Sequence, residues 1–273
     1  MAIQKGIIRL SGKLGDLIFY RTKNGYASRN KPTTYILSEG SKQSGKDFGE
    51  ASRNSNYIRK AFAPLVSEYG DKQIINRLNK KLIEIFKTIS SENRGKKRLI
   101  DGNLSLLKGF EFNNQSPLKD LLWQYPKISI ETGSILDIRL PQGEVDLLFP
   151  YHIPDAHEVC LNMMIFCFDL NDGVYEIFKF NELTISLKNP VIGRNKRLHL
   201  DLAGHKALII ATGIHFKDEW TKINNSKYYS CQITYAEHLE EGIITNFIAP
   251  LKIDLITERN DLDGLDWDIE VLN

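Results

Sequence analysis

The sequence is poor in cysteine and contains no long apolar run. Among its 273 residues only Cys160, Cys167 and Cys231 carry thiols, and no Cys-x-x-C pair occurs. An odd number of cysteines in apolar surroundings predicts reduced, buried thiols rather than a disulfide framework. No apolar segment approaches the ~20 residues that a membrane-spanning helix requires, and the first residues lack the apolar stretch of a secretory signal. We therefore expect a cytoplasmic protein that does not interact with membranes.

Sequence motifs of established catalytic or metal-binding chemistry are also lacking. Residues 40–46 fit Gly-x-x-x-x-Gly-Lys, but a P-loop continues with Ser or Thr to hold Mg²⁺, and Asp47 follows here. We interpret this stretch as a flexible linker that leads into a helix. The polar residues 151–158 match no zinc-ligand spacing, and the acidic stretch 261–270 lacks the glycine position of an EF-hand loop. The sequence therefore predicts no enzyme, no cofactor and no metal site. An enzyme with an active site that no known motif reveals is the alternative to this prediction.

Charge is distributed unevenly along the chain. Residues 1–110 contain 22 Lys and Arg against 9 Asp and Glu, whereas residues 111–273 contain 14 against 25. The two parts thus carry +13 and −11 within a chain whose formal net charge is +2. This polarity indicates either an anionic partner for the first part or attraction between copies of the chain. Two solvated surfaces of different composition would give the same counts.

The first 40 residues form a basic arm around a predicted β-hairpin. The Asn-Gly pair at positions 24 and 25 is typical of a type I′ turn, which needs positive φ at both central residues. We expect one strand over residues 14–20 and a return strand over residues 26–30, which ends at Lys31-Pro32 because proline cannot donate to a strand ladder. An isolated hairpin is marginally stable in water. The arm must therefore pack against this chain or another chain.

A long helix follows the arm. Its apolar or small residues recur at intervals of three and four, which is typical of a helix with one buried face. The helix is expected to begin near Ser44 or Asp47 and to stop at Gly70, and Pro64 predicts a break near Phe62. The stripe consists of Phe48, Ala51, Ser55, Ile58, Phe62, Leu65 and Tyr69.

A second helix and a series of strands complete the expected α+β fold. Residues 74–89 repeat the one-sided apolar stripe, so residues 41–115 are predicted to hold a helical pair and a linker. From Lys127 onward, period-two segments alternate with turn residues, which is typical of antiparallel sheets. We therefore predict three parts, with residues 116–273 as an antiparallel β-sandwich.

Three stretches carry a resemblance to known families. They read GKLGDLIFYRTKNGYASRNKP, DFGEASRNSNYIRKAFAPL and LLKGFEFN, and they fall within residues 11–114. They are similar to uncharacterised bacterial families that share a Gly-Lys-x-Gly hairpin, a Phe-Gly-x-Ala-Ser helix and a Gly-Phe-Glu-Phe-Asn link. The resemblance implies an architecture with a β-rich remainder, and it transfers no catalytic residue.

Two functions compete for the arm. We predict a non-enzymatic structural or interaction protein that forms a homo-oligomer or a larger complex, because the hairpin needs a partner and the two parts of the chain have opposite charge. The alternative is a nucleic-acid-binding protein, because basic and aromatic side chains together bind phosphates and stack on bases. The predicted arm residues are Arg9, Lys13, Phe19, Tyr20, Arg21, Lys23, Tyr26, Arg29 and Lys31. The predicted helix residues are Phe48, Ile58, Arg59, Phe62 and Leu65.

Overall fold

The chain forms two compact units, Met1–Gly45 and Lys46–Asn273. The computed structural model describes residues 2–3, 10–23, 25–31, 36–131, 134–149, 153 and 155–250. The helices are α1 (Glu39–Ala61), α2 (Ala63–Tyr69), α3 (Ile74–Thr88) and α4 (Val145–Leu148). The strands are β1 (Ala2–Ile3), β2 (Gly12–Leu14), β3 (Leu17–Thr22), β4 (Gly25–Asn30), β5 (Lys127–Glu131), β6 (Ile135–Arg139), β7 (Glu158–Asp169), β8 (Tyr175–Lys179), β9 (Leu183–Ser186), β10 (Asn195–His199), β11 (His205–Lys217), β12 (Ser230–Glu240) and β13 (Ile243–Ile244).

The first unit contains a four-stranded antiparallel sheet with the order β1-β4-β3-β2. Its centre is the predicted hairpin, in which Thr22 pairs with Gly25, and Gly25 has a φ of +119°. The expected strand over residues 14–20 is divided, because Gly15 adopts a φ of +56° in a turn between β2 and β3. Only a residue without a Cβ enters this region readily. A tight turn therefore adds a third strand to the hairpin.

Helix α1 begins earlier than the sequence pattern predicts. Ser38 explains the difference, since its side-chain oxygen accepts a hydrogen bond from the Ser41 amide at 3.2 Å, as an N-cap residue does. Residues 40–46 consequently lie in a helix, and their interpretation as a flexible linker is wrong. The predicted break is confirmed, because α1 ends directly before Phe62 and α2 follows it with Pro64 in its first turn.

The second unit is built on a large antiparallel sheet with the order β13-β12-β11-β7-β8, in which β9 also pairs with β7. Helices α1 to α3 cover one face of this sheet, where Phe62 and Leu78 share a core with Phe166. On the other face, the small sheet β10-β6-β5 packs Ile138 into a second core with Ile165. The predicted α+β fold, with a hairpin before helices and antiparallel sheets after them, is confirmed.

The helices and the large sheet share one core, so residues 46–273 form a single unit in which the expected parts 41–115 and 116–273 are not separate. In the described part of the chain, no helix combines the length and apolar character that crossing a membrane requires. The acidic stretch 261–270 lies outside the described residues.

Glu111 is a partly buried carboxylate that pairs with Gln232 of β12. One of its oxygens accepts hydrogen bonds from the Leu118 amide at 3.0 Å and from the Gln232 side chain at 2.5 Å. The other oxygen is buried and has no hydrogen-bond partner among the described residues. Burial raises the pKa of Glu111 to about 7, in spite of the two hydrogen bonds that oppose this shift. Ionisation of Glu111 at neutral pH therefore costs folding free energy.

We expect Glu111→Gln to remove a pH-dependent loss of stability. Because the pKa of Glu111 is higher in the folded chain than in the unfolded chain, the folded state holds more protons between about pH 5 and about pH 8, and raising the pH destabilises it. Relative to the wild type, the variant should gain about 1–3 kcal/mol in free energy of unfolding over that interval. Urea unfolding at about pH 5 and about pH 8 measures the gain. Glu92→Gln, in the exposed 3₁₀ helix Ser91–Asn93, is the control. A gain that does not change with pH would contradict the assignment.

Candidate functional site

One face of the N-terminal sheet is mainly apolar. Directly opposed residues of an antiparallel pair project from the same face, and the register pairs Leu14 with Leu17 and Arg21 with Tyr26. Phe19 lies between Leu17 and Arg21 on the same face. We call these five residues the apolar face. It carries one positive charge among four large apolar or aromatic side chains.

The opposite face of the sheet is basic. Lys13 and Arg29 both pair with Ile18, and Tyr20 follows on the same face. The Arg29 guanidinium lies over the Tyr20 ring at 5.7 Å from its centroid, within the range of a cation–π interaction. We call Lys13, Ile18, Tyr20 and Arg29 the basic face. The structure thus divides the predicted arm residues between two surfaces of different chemistry.

The remaining predicted arm residues lie at the ends of the hairpin. Lys23 is exposed in the turn between β3 and β4, and Lys31 is exposed directly after β4. The Lys31 amide donates to the Asp16 carbonyl at 2.6 Å, which fixes the end of the hairpin. Arg9 lies outside the described residues. These two lysines add positive charge beside the strands rather than on one face.

The described residues of the N-terminal unit form almost no core. Among its described residues, Ala27 is the one that is buried. On the apolar face, Leu14 is 66% exposed and Leu17 is 38% exposed. A sheet normally needs a second layer over one face to be stable by itself. The described part of this sheet therefore leaves apolar side chains in contact with water.

Most of the predicted helix residues are not at a surface. Ile58, Phe62 and Leu65 are almost completely buried, and the Phe62 ring lies 5.9 Å from the ring of Phe112 and 6.1 Å from that of Phe166. The prediction that these three residues dock onto another molecule is therefore corrected, because their stripe covers the sheet of the same chain.

The other two predicted helix residues differ from these three. Phe48 is 55% exposed on α1. Arg59 is partly buried, and it donates a hydrogen bond to the Asn56 side chain at 3.2 Å. Of the predicted helix residues, Phe48 thus has the most surface for another molecule to contact.

A group of polar side chains, which sequence reasoning missed, interrupts the core between α2 and the large sheet. We call it the polar cluster. The Tyr69 hydroxyl lies 2.7 Å from His215 Nδ1 and accepts a hydrogen bond from Asn162 at 3.1 Å. Gly213 makes this contact possible, because a Cβ there would lie 3.2 Å from the Tyr69 ring. The cluster consists of Tyr69, Cys160, Asn162, Glu182, His215 and Lys217.

The ionisable groups of the polar cluster are strongly influenced by their surroundings. Burial raises the pKa of Tyr69 and lowers the pKa of His215, so both favour their neutral forms. Burial also opposes ionisation of Glu182, but a 2.5 Å hydrogen bond from Lys217 and contacts with other polar groups lower its pKa to about 2. The cluster therefore combines one stable carboxylate with neutral imidazole and phenol groups.

The polar cluster has no signal in the linear sequence. Cys160 and His215 are separated by more than 50 residues, and the register of β7 and β11 places them directly opposite each other. Glu182 comes from the segment between β8 and β9, both of which pair with β7. Neighbouring residues give no indication of this arrangement, since the pairing of distant strands creates it.

Comparisons with known proteins do not assign a function to either surface or to the polar cluster. No family model, curated protein or solved structure matches the chain. The resemblance of residues 11–114 to bacterial families therefore stays a prediction. The function has to be argued from the side chains themselves.

Truncation of two phenylalanines of the predicted helix stripe should change the free energy of unfolding to very different extents. Phe62→Ala removes a completely buried ring and should lower the free energy of unfolding by about 3–5 kcal/mol. Phe48→Ala removes an exposed ring and should change it by less than about 0.5 kcal/mol. Urea unfolding of both variants measures the difference. Equal effects would contradict the assignment of Phe62 to the core.

Proposed function

We propose that this protein is a non-enzymatic structural protein that assembles into a homo-oligomer or a larger complex through its N-terminal sheet. The observation that carries the proposal is the lack of a core among the described residues of this unit, where Ala27 alone is buried. Covering the apolar face removes the exposed surface of Leu14 and Leu17 from water, which is favourable at about 25 cal/mol per Å². Association thus supplies the second layer that the sheet lacks.

Charge favours a second copy of the chain as the partner. The unit has few acidic side chains to neutralise the exposed basic side chains of the arm. Its described acidic residues are Asp16 and Glu39. Residues 111–273 of every copy carry a net charge of −11. Complementary charges guide two surfaces into register and raise the rate of association. The apolar face then contributes contact area, and the lysines and arginines contribute orientation.

The proposed location of this assembly is the cytoplasm. Cys160, Cys167 and Cys231 are all free and buried. Free thiols are typical of proteins from a reducing compartment. Burial raises the pKa of each of these thiols, which disfavours the thiolate that a catalytic nucleophile requires. This supports a structural rather than a catalytic role for the cysteines.

Introducing negative charges on the apolar face by substitution should reduce self-association. We expect the double variant Leu14→Asp and Leu17→Asp to lower the molar mass in solution, because two carboxylates at directly opposed positions would have to be buried in the interface. Light scattering coupled to size-exclusion chromatography measures the mass over a range of concentrations. Leu147→Asp is the matched control, since Leu147 is 60% exposed in the second unit. A wild-type chain that is monomeric at every concentration would refute the proposal.

The basic face supports a second candidate function, the binding of nucleic acid. Lys13 and Arg29 lie on the same face as Tyr20, and cations next to an aromatic ring are typical of surfaces that track a phosphate backbone and stack on bases. In this alternative, the partner covers the basic face rather than the apolar face.

Charge reversal on the basic face separates the two functions. If nucleic acid is the partner, the double variant Lys13→Glu and Arg29→Glu should weaken binding to single-stranded DNA at least about tenfold and flatten its salt dependence. Fluorescence anisotropy at low and high salt measures both effects, with Lys196→Glu on β10 as the control. Absence of wild-type binding at low salt would eliminate this alternative and leave the assembly proposal unaffected.

A further inference from the structure

The polar cluster brings a thiol, a carboxylate and an imidazole to one point. The donor atoms of Cys160, Glu182 and His215 all lie within 4.8 Å of one another. Cys160 and His215 are directly opposed on β7 and β11, which are two long neighbouring strands at the centre of the large sheet. Rigid sheet positions therefore hold two of the three donors, and Glu182 approaches from the segment between β8 and β9.

The imidazole is oriented toward this point. Its Nδ1 lies 2.7 Å from the Tyr69 hydroxyl, whereas its Nε2 faces the Glu182 Oε2 atom at 3.7 Å. In the tautomer with the proton on Nδ1, this nitrogen donates a hydrogen bond to the phenol oxygen. The lone pair of Nε2 is then directed at the space between the carboxylate and the thiol, where an ion would bind. Metal-binding histidines are commonly oriented in this way by a hydrogen bond at the second ring nitrogen.

We propose that Cys160, Glu182 and His215 bind a divalent transition-metal ion of the zinc class, with water as the fourth ligand. Sulfur, nitrogen and one carboxylate oxygen form a donor set that zinc accepts in tetrahedral sites. Bonds of ~2.0–2.3 Å place neighbouring donor atoms about 3.3–3.7 Å apart in such a site. The His215 and Glu182 atoms, 3.7 Å apart, need to approach each other by only a few tenths of an ångström to reach the ~3.3–3.5 Å of a tetrahedral nitrogen–oxygen pair.

The charges of the proposed ligands balance those of a dication. The Cys160 thiol loses its proton to solvent when the metal–sulfur bond forms, so the thiolate and the Glu182 carboxylate neutralise two positive charges. Lys217 donates to the second carboxylate oxygen, Oε1, at 2.5 Å and thereby leaves Oε2 directed at His215. Cys160 and His215 are buried, whereas the Glu182 side chain is 34% exposed. An ion therefore reaches the donors from the side of Glu182.

The Cys160 thiol has polar neighbours, Thr184 among them, in addition to the proposed ligand Glu182. Its Sγ lies 3.7 Å from the Thr184 hydroxyl, at the long end of hydrogen bonds to sulfur. The other thiol of β7, Cys167, points to the opposite face of the sheet, where it belongs to the core under the small sheet. The two cysteines of one strand thus differ in their neighbours, and Cys167 provides a control for Cys160.

Metal binding by the full-length chain tests this proposal. The purified protein is stripped with a chelator and then titrated with Zn²⁺ against a chromogenic competitor, and with Co²⁺ as a spectroscopic probe. We expect one ion per chain and a thiolate-to-cobalt charge-transfer absorption in the near ultraviolet. Cys160→Ser should abolish this absorption, and Cys167→Ser should leave it unchanged. Glu182→Gln should weaken zinc binding at least about tenfold.

Several outcomes would overturn the site. One is a wild-type chain that leaves all zinc with the competitor. Another is a cobalt complex without charge-transfer absorption, which would place the ion on other residues. Equal zinc affinity of the wild type and Glu182→Gln would also refute the site. If Cys160→Ser does not fold, the wild-type spectrum and the Glu182→Gln titration still decide, because Glu182 lies at the edge of the cluster. Circular dichroism of the metal-free variants establishes their folding.

Discussion

The antiparallel pairing of β7 with β11 is the interaction on which the second unit depends. Nearly every residue of both strands is buried, because helices cover one face of the large sheet and the small sheet covers part of the other. A slip of one residue would exchange the two faces of a strand. Phe166 would then leave the helices, and Cys160 would lose its place opposite His215. One register therefore sets both the core and the polar cluster.

The two units satisfy the demand for burial in different ways. The second unit covers its long strands with its own helices and sheets. The apolar stripe of its helices is therefore part of a core that includes Phe62 and Leu78. The first unit has a sheet with one described buried residue, Ala27, and its chemistry is divided between an apolar and a basic face. A unit with an extensive core and a sheet with one described buried residue thus occupy one chain. This contrast is the basis of the assembly proposal.

Local signals in the sequence predict local structure well. The Asn-Gly pair locates the hairpin, Pro64 locates the break at Phe62, and the period-two segments after Lys127 indicate antiparallel sheets. The sequence does not reveal what an apolar stripe packs against. It therefore predicts a docking face for Ile58 and Leu65, which belong to the core. It also cannot reveal the polar cluster, since contacts between Tyr69, Cys160 and His215 depend on the pairing of distant segments.

The near absence of a core among the described residues of the first unit has a consequence for how the chain unfolds. Opening this sheet exposes little additional apolar surface, so its heat capacity increment and its sensitivity to denaturant should both be small. The second unit must break an extensive core before it opens. A dilute solution should therefore contain chains in which the amide hydrogens of β3 and β4 exchange rapidly with solvent while those of β7 and β11 remain protected.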